Sequence, residues 1–267
     1  MDKVSEDENI KKNMAGVKKK FMIFSGKGGV GKTTTAVNLA YSIMSKGYKV
    51  GLLDIDIHGP DVIKVMGLEK EKLTGTEKKI EPIKAFSAMK VMSTASMLES
   101  EDTPIIWRGP LKIKLIKQFL SDVSWGDLDY MIIDSPPGTG DEPLSIAQLL
   151  PGLTGGIVVT TPQNIATLDA RKSIRFAQQL KLGHICVIEN MSGFICPHCG
   201  ERIDIFKTGG GQRIASEMKV NFLGRIPYDL QVMKLSDDGR VYLKDNKNGT
   251  LVSEAYDHIS NKIINLN

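Results

Sequence analysis

Gly26-Lys27-Gly28-Gly29-Val30-Gly31-Lys32-Thr33 is the stretch whose reading decides the fold. Apolar Phe21-Met22-Ile23-Phe24 runs into it, and Thr35-Ala36-Val37-Asn38-Leu39-Ala40 leaves it with helical spacing. Strand, glycine loop and helix, in that order, is the context in which G-x-x-x-x-G-K-[ST] holds a phosphate chain. Glycines leave out side chains, so backbone N–H groups can wrap the phosphates, and the helix start adds the positive end of its dipole. Lys32 is expected to reach the β- and γ-phosphates, and the Thr33 hydroxyl to sit on Mg²⁺. The whole expected cradle is Gly26, Lys27, Gly28, Gly29, Val30, Gly31, Lys32, Thr33 and Thr34. A flexible glycine turn ahead of a helix is the bland alternative, and a full match in the right context weighs against it. The stretch predicts a nucleoside triphosphate site.

The 267-residue chain has room for one large α/β domain or two small ones. Hydrophobic residues at 41% and charged residues at 25% place it among ordinary globular proteins. A net charge of +4, with lysines spread out and matched by acids, does not call for nucleic acid as a partner. No apolar run approaches the ~20 residues of a membrane span, so no membrane is expected either. Met1 to Lys20 mixes Asp2, Glu6, Asp7 and Glu8 with lysines, which suits neither a secretory signal nor a transit peptide. Residues 1–20 are expected to be a flexible lead-in, and 21–267 one domain. Three cysteines, Cys186, Cys196 and Cys199, are too few and odd in number for a disulfide scaffold and point to a reducing cytosol.

Outward from the loop, Tyr48 to Asp54 reads as a buried parallel strand, and so does Leu128 to Asp134. Ile80–Phe86 and Met89–Ser93 read as short strands forming a hairpin or an edge pair. Gly155–Thr160, Ile185–Ile188 and Asn221–Ile226 are further strands. Helices are expected over Pro110–Phe119, near 166–182 and at about 250–265, and residues 68–81 as a solvated excursion. Strands alternating with helices predict the α/β class: one doubly wound, mostly parallel sheet with helices on both faces. Ligands on such sheets bind beyond the carboxyl ends of the strands, where the loop, Asp56 and Asp134 all fall.

Asp134 closes an apolar strand and is expected to hold Mg²⁺ through water. In the glycine- and proline-rich Ser135-Pro136-Pro137-Gly138-Thr139-Gly140-Asp141, Gly138 is expected to offer its N–H to a γ-phosphate and release it after hydrolysis. If the strand stayed extended past Asp54, Asp54 and Asp56 would share one face. Cys196-Pro197-His198-Cys199-Gly200 lets two sulfurs converge on one ion, with Gly200 permitting the tight knuckle. One such pair is half a site, because zinc and [4Fe–4S] centres usually take four ligands. Cys186 sits in an apolar run and reads as a buried core thiol.

The loop resembles the deviant Walker A form, K-G-G-x-G-K-[ST], of P-loop NTPases such as the nitrogenase iron protein and the MinD and ParA ATPases. The resemblance implies that Lys27 reaches across a homodimer to the other subunit's nucleotide. It also implies that Asp56 activates the attacking water while Asp54 supports the Mg²⁺ shell; the reverse assignment is the alternative. Asn190, in Glu189-Asn190-Met191-Ser192, is implied as an adenine contact, which makes the nucleotide ATP. Lys27 to Thr33, Asp54 to Pro60, Trp107-Arg108-Gly109-Pro110, Asp134 to Asp141, Glu189 to Gly200 and Gly209-Gly210-Gly211 together are similar to the Mrp-type ATP-binding iron–sulfur cluster carriers. That family implies a slow ATPase whose paired C-x-x-C motifs hold a [4Fe–4S] cluster through Cys196 and Cys199 and hand it to apo iron–sulfur proteins. No four-cysteine motif and no small domain precede the loop, so the second cluster and the added domain of some members are not expected. A MinD- or ParA-like positioning ATPase is one alternative. An ATPase dimer stapled by structural zinc is the other, with zinc expected above all in aerobic preparations.

Overall fold

The computed structural model describes residues 5–76, 79–97, 109–246 and 249–266. Helix α1 (Glu6–Met14) leads into β1 (Val17–Phe24), and then come α2 (Lys32–Ser45), β2 (Val50–Asp54) and α3 (Val62–Val65). A small hairpin, β3 (Thr74–Thr76) with β4 (Lys79–Glu81), precedes β5 (Ile83–Ala85) and β6 (Met89–Ser93). The chain continues through α4 (Gly109–Ser121), β7 (Leu128–Asp134), α5 (Asp141–Leu149), β8 (Gly155–Thr160), α6 (Asn164–Gln179) and β9 (His184–Glu189). Two-residue strands β10 (Phe194–Ile195) and β11 (Arg202–Ile203) follow, then α7 (Gly210–Glu217), β12 (Asn221–Arg225), α8 (Leu230–Asp237), α9 (Tyr242–Asp245) and α10 (Leu251–Ile264). No helix among the described residues is long and apolar enough to cross a membrane.

The main sheet has eight strands in the order β12-β9-β8-β1-β7-β2-β6-β5. β5 runs antiparallel to β6 at one edge, and the other pairings are parallel. Successive strand side chains point to opposite faces, so the continuous apolar runs of β1 and β7 feed two cores. Phe21, Ile23, Tyr130 and Ile132 join α2 and α10 on one face. Met22, Phe24, Met131 and Ile133 join α1, α4 and α6 on the other. This is the doubly wound α/β sheet that the sequence predicts. The register aligns the carboxyl ends: Asp134 stands beside both Ile23 and Asp54, and Thr160 beside Glu189.

The expected flexible lead-in is corrected over its described part. From Ser5 onward it is a capped helix and the first half of β1. Ser5 and Glu8 cap each other, Glu8 N–H to Ser5 Oγ at 3.3 Å and Ser5 N–H to Glu8 Oε2 at 3.0 Å. Ile10 and Met14, one turn apart, are buried against α4, and Asn13 Nδ2 donates to the carbonyls of Leu120 and Val123 at 2.8 Å. Two apolar residues on a charged segment are a weak periodic signal, which is why composition reads it as solvated. Periodicity also does not single out α5, α7 or α8. Trp107 and Arg108 of the family-like stretch lie outside the described residues.

Because Met14 is a core residue, Met14→Ala should cost about 2–5 kcal/mol of unfolding free energy, measured by urea denaturation. An unchanged midpoint would mean that α1 does not contribute to the fold.

Candidate functional site at the carboxyl edge of the sheet

A cleft of about 770 Å³ opens at this edge, lined among others by Lys27, Gly28, Gly29, Gly31, Lys32, Thr33, Thr34, Asp56 and Asn190. Gly31 caps α2 at φ 79°, a left-handed conformation that L side chains rarely adopt. A Cβ there would lie 2.3 Å from Asn190 Nδ2, so the loop turns at Gly31 for two separate reasons. No acidic residue stands in the first turn of α2 and no side chain caps it, so its N–H groups face the cleft unneutralised. Ser25 Oγ, at the cleft wall, is buried and without a hydrogen-bond partner among the described residues. A free helix start, an unpartnered hydroxyl and a lysine at one point fit a phosphate chain.

Behind Lys32 and Thr33, which line the cleft, charge centres on Asp134, which is fully buried. Its Oδ1 meets Lys32 Nζ at 2.7 Å, and its Oδ2 accepts from the Thr33 hydroxyl at 2.6 Å. Asp56 Oδ2 stands 3.7 Å from the same ammonium. Burial raises the Asp134 pKa, and Lys32, by charge and hydrogen bond, draws it back down. Burial likewise raises Asp56, with Lys32 opposing. Two carboxylates and a hydroxyl around one ammonium leave negative charge to spare, a donor set of hard oxygens that suits Mg²⁺. Among the described residues no three His, Cys, Asp or Glu side chains converge as a metal group. Mg²⁺ would therefore be held by Thr33 and Asp134 and completed by phosphate oxygens and water, as is usual for this ion.

Three expectations shift here. Asp54 does not face the cleft: its carboxylate accepts from Asp56 N–H at 3.0 Å, Val62 N–H at 3.3 Å and the Ser93 hydroxyl at 2.9 Å. β2 ends at Asp54, and the first of those bonds bends the chain, so Asp54 and Asp56 do not share a face by strand alternation. Burial, and next the charge of Asp134, push the Asp54 pKa well up. Asp54 thus holds the root of the Asp56 loop. The Gly138 N–H, expected on a γ-phosphate, donates instead to Ser25 O at 2.8 Å. Asn190 lines the cleft and gives one Nδ2 hydrogen to Val30 O at 2.9 Å, so it braces the glycine loop and keeps its second N–H and its amide oxygen for a base. Lys27, half-buried at the cleft, has no hydrogen bond or ion pair among the described residues, which leaves its ammonium available.

The cysteine knuckle lies on the same loop as Asn190, between β10 and β11. Gly200 N–H donates to Cys196 O and Cys196 N–H to Glu201 O, both at 2.9 Å, which closes the turn. The backbone N–H groups of Cys199 and His198 donate to Cys196 and lower its pKa. That arrangement favours a thiolate ready for a metal. Cys199 is exposed, whereas Cys186 is buried and its thiol is pushed up to about 12 by desolvation. Sequence reasoning missed Glu189, fully buried, whose carboxylate accepts from Ser192 Oγ at 2.5 Å, Gly209 N–H at 2.9 Å and Gly211 N–H at 2.5 Å. Its position just before Asn190 carried no signal, because its partners lie in the distant Gly209-Gly210-Gly211.

With this geometry in place, comparison with known proteins decides the family. A family model described as NUBPL iron-transfer P-loop NTPase, of the ParA group, matches residues 16–264. The chain belongs to that family. It is 50% identical over 234 residues to an iron–sulfur cluster carrier protein of Methanocaldococcus jannaschii, covering 88% of this chain and 81% of the relative. A cytosolic Fe–S cluster assembly factor of Saccharomyces cerevisiae is 44% identical over 232 residues, covering 85% and 79%. Among solved structures, a nucleotide-binding protein from Archaeoglobus fulgidus in complex with ADP aligns with TM-score 0.80 at 37% identity, over 93% of this chain and 96% of that one. MinD of Pyrococcus horikoshii with Mg-ADP aligns at TM-score 0.65 and 19% identity, over 93% and 96%, a likeness of fold alone. The fold thus carries a glycine-loop cleft and a thiol knuckle on one edge.

In the reduced, folded chain, iodoacetamide should alkylate Cys196 and Cys199 and spare Cys186, which should react only after denaturation. Peptide mass spectrometry checks this, and rapid labelling of Cys186 in the native chain would contradict its burial.

Proposed function

We propose that this protein is an ATP-binding, ATP-hydrolysing iron–sulfur cluster carrier that works as a homodimer and passes a [4Fe–4S] cluster to apo-proteins. The observation that carries the reading is the pairing of Cys196 and Cys199, on a thiolate-favouring knuckle, with a glycine-loop cleft braced from the same loop by Asn190. One knuckle supplies two thiolates and a [4Fe–4S] cluster takes four, so a second copy completes the set. The cluster is cargo: one half-buried and one exposed thiolate per subunit would hold it near the surface, where an acceptor's thiols could replace them one at a time. In this reading the working compartment is the reducing cytosol, where exposed thiols stay reduced.

At the nucleotide, Lys32 would neutralise the β- and γ-phosphates, and the α2 N–H groups would cradle them. Thr33 and Asp134 would hold Mg²⁺, which would neutralise phosphate charge there. Asp56, its loop fixed at the base by Asp54, would take the proton of the attacking water. Lys27, unpaired in one subunit, would cross to the partner's nucleotide, so hydrolysis would require the dimer. The Gly138 to Ser25 bond would have to open before Gly138 could meet a γ-phosphate, which gives the Ser135 to Asp141 loop two states. Asn190 Oδ1 and the second Nδ2 hydrogen would be left for the edge of an adenine.

Anaerobic reconstitution with iron and sulfide, followed by metal counts and oligomeric mass, tests the carrier reading. About four irons per dimer are expected, lost in Cys196→Ser with nucleotide binding kept. A dimer that holds zinc and takes up no iron would establish a structural zinc staple instead. For the nucleotide site, Lys32→Ala should abolish nucleotide binding or turnover. Asp56→Asn should keep binding and lower turnover about a hundredfold or more, measured by phosphate release. Turnover unchanged in Asp56→Asn would remove that residue from the water site.

A further inference from the structure

A second, smaller groove of about 280 Å³ lies behind the nucleotide cleft, walled by Phe194, Ile195 and Pro197 beside the knuckle and by Tyr228, Leu230 and Leu251 opposite. Tyr228 lines the cleft as well, so one side chain forms part of the wall of both hollows. Phe206, which lines the cleft, meets the Tyr228 ring edge-on, centroids 6.3 Å apart at 84°. Phe194, which lines the groove, meets it at 6.0 Å and 63°. Three rings therefore run in a row from the cleft to the residue two places before Cys196. Edge-to-face contacts have directional preferences, so displacing one ring of such a row disturbs the next.

The backbone follows the same line. Ile226 N–H donates to Glu189 O at 2.8 Å, Ser192 N–H to Ile226 O at 2.9 Å and Tyr228 N–H to Gly193 O at 2.8 Å, so the two loops lie zipped together. One end of the zipper is fixed: the Glu189 carboxylate is clamped by Ser192, Gly209 and Gly211, and Asn190 holds the glycine loop. The other end, Ile195 to Cys199, projects toward solvent, with Ile195 39% exposed. Between them Met191 at φ 55° and Gly193 at φ 81° hold the chain in the left-handed region. A Cβ at Gly193 would lie 2.9 Å from the Arg202 guanidinium, so the bend there is tight as well as unusual. These two positive-φ positions flanking Ser192, between a clamped end and a free one, make a natural hinge.

We propose that Tyr228 is a positioning residue that carries the occupancy of the nucleotide cleft to the cysteine knuckle. A planar base seated against Phe206 and Tyr228 sets the ring row; the row sets Phe194; and Phe194, beyond the hinge, sets how open Cys196 and Cys199 stand. The proposal rests on reading the cleft as an adenine-nucleotide site and the knuckle as the cargo site. It adds the physical link by which one regulates the other.

The test uses the full chain, reduced and anaerobic, with iodoacetamide as the probe of Cys196 and Cys199 and Mg-ADP at saturation. In the wild type, ADP should change the alkylation rate about fivefold or more. Tyr228→Phe, which keeps the ring, should retain that response. Tyr228→Ala, which also removes part of the base's seat, is read at an ADP concentration that saturates it, and there its response should fall below about twofold. Phe194→Leu, which breaks the row on the knuckle side away from the cleft, should lose the response in the same way and serves as the deciding variant if Tyr228→Ala does not fold. An ADP response of wild-type size in a folded variant of either kind overturns the proposal. So does a wild type that binds ADP and takes up iron yet alkylates at one rate. A wild type that binds neither nucleotide nor iron overturns the carrier reading, and this proposal with it.

Discussion

The buried contact between Lys32 and Asp134 is the constraint around which the rest of the molecule is arranged. Neither group is stable alone at that depth, since an unpaired buried charge costs several kcal/mol, and removing one partner of such a pair typically costs about 3–5 kcal/mol. Their 2.7 Å contact therefore ties the start of α2 to the end of β7. The strand order makes this possible. β7 lies between β1 and β2, so Asp134 is flanked by Ile23, at the mouth of the glycine loop, and by Asp54, at the root of the Asp56 loop. Three loops with no neighbourhood in sequence meet at one carboxylate. The arrangement also leaves the centre with more carboxylate than ammonium, which predisposes it to a divalent cation and a phosphate chain together.

Much of this was legible in the sequence because it is local. An apolar run, a glycine loop and a helical pattern follow each other within a few residues, and their order alone specifies strand, phosphate cradle and helix. The parallel strands were legible for a related reason: a strand buried on both faces reads as unbroken Val, Ile, Leu and Met. Family-like motifs added the rest of the frame, and the family match over residues 16–264 agrees with them.

What the sequence hid is what hydrogen bonds between distant residues decide. Asp54 looked like a metal-shell residue because a strand end at the site is where such residues stand. Ser93, its partner at 2.9 Å, is brought there only by the pairing of β6 with β2. Gly138 looked like a phosphate donor because glycine N–H groups in such loops are free to turn, and its actual acceptor, Ser25 O, belongs to the other loop. The segment from Ser5 was hidden differently: its charges dominate its composition, while its structure depends on Ile10, Met14 and the Asn13 amide meeting α4. In each case the residue type was read correctly and its partner was not.

The same point bears on why the two halves of the chemistry share an edge. A doubly wound sheet offers loops for ligands at its carboxyl end, and strands β1, β2, β7 and β9 all end there. The loop after β9 begins with Glu189 and Asn190 and runs on to the cysteines. Its first residues cannot move independently of the glycine loop, because Asn190 Nδ2 is bonded to Val30 O and would collide with any side chain at Gly31. Its last residues are held mainly by a two-rung ladder, β10 with β11, and a zipper to Tyr228. A loop bonded to the glycine loop at its start and held by few bonds at the thiols can couple its two ends, and such coupling is reciprocal. Coupling between the sites then needs no long pathway through the core, only that one loop.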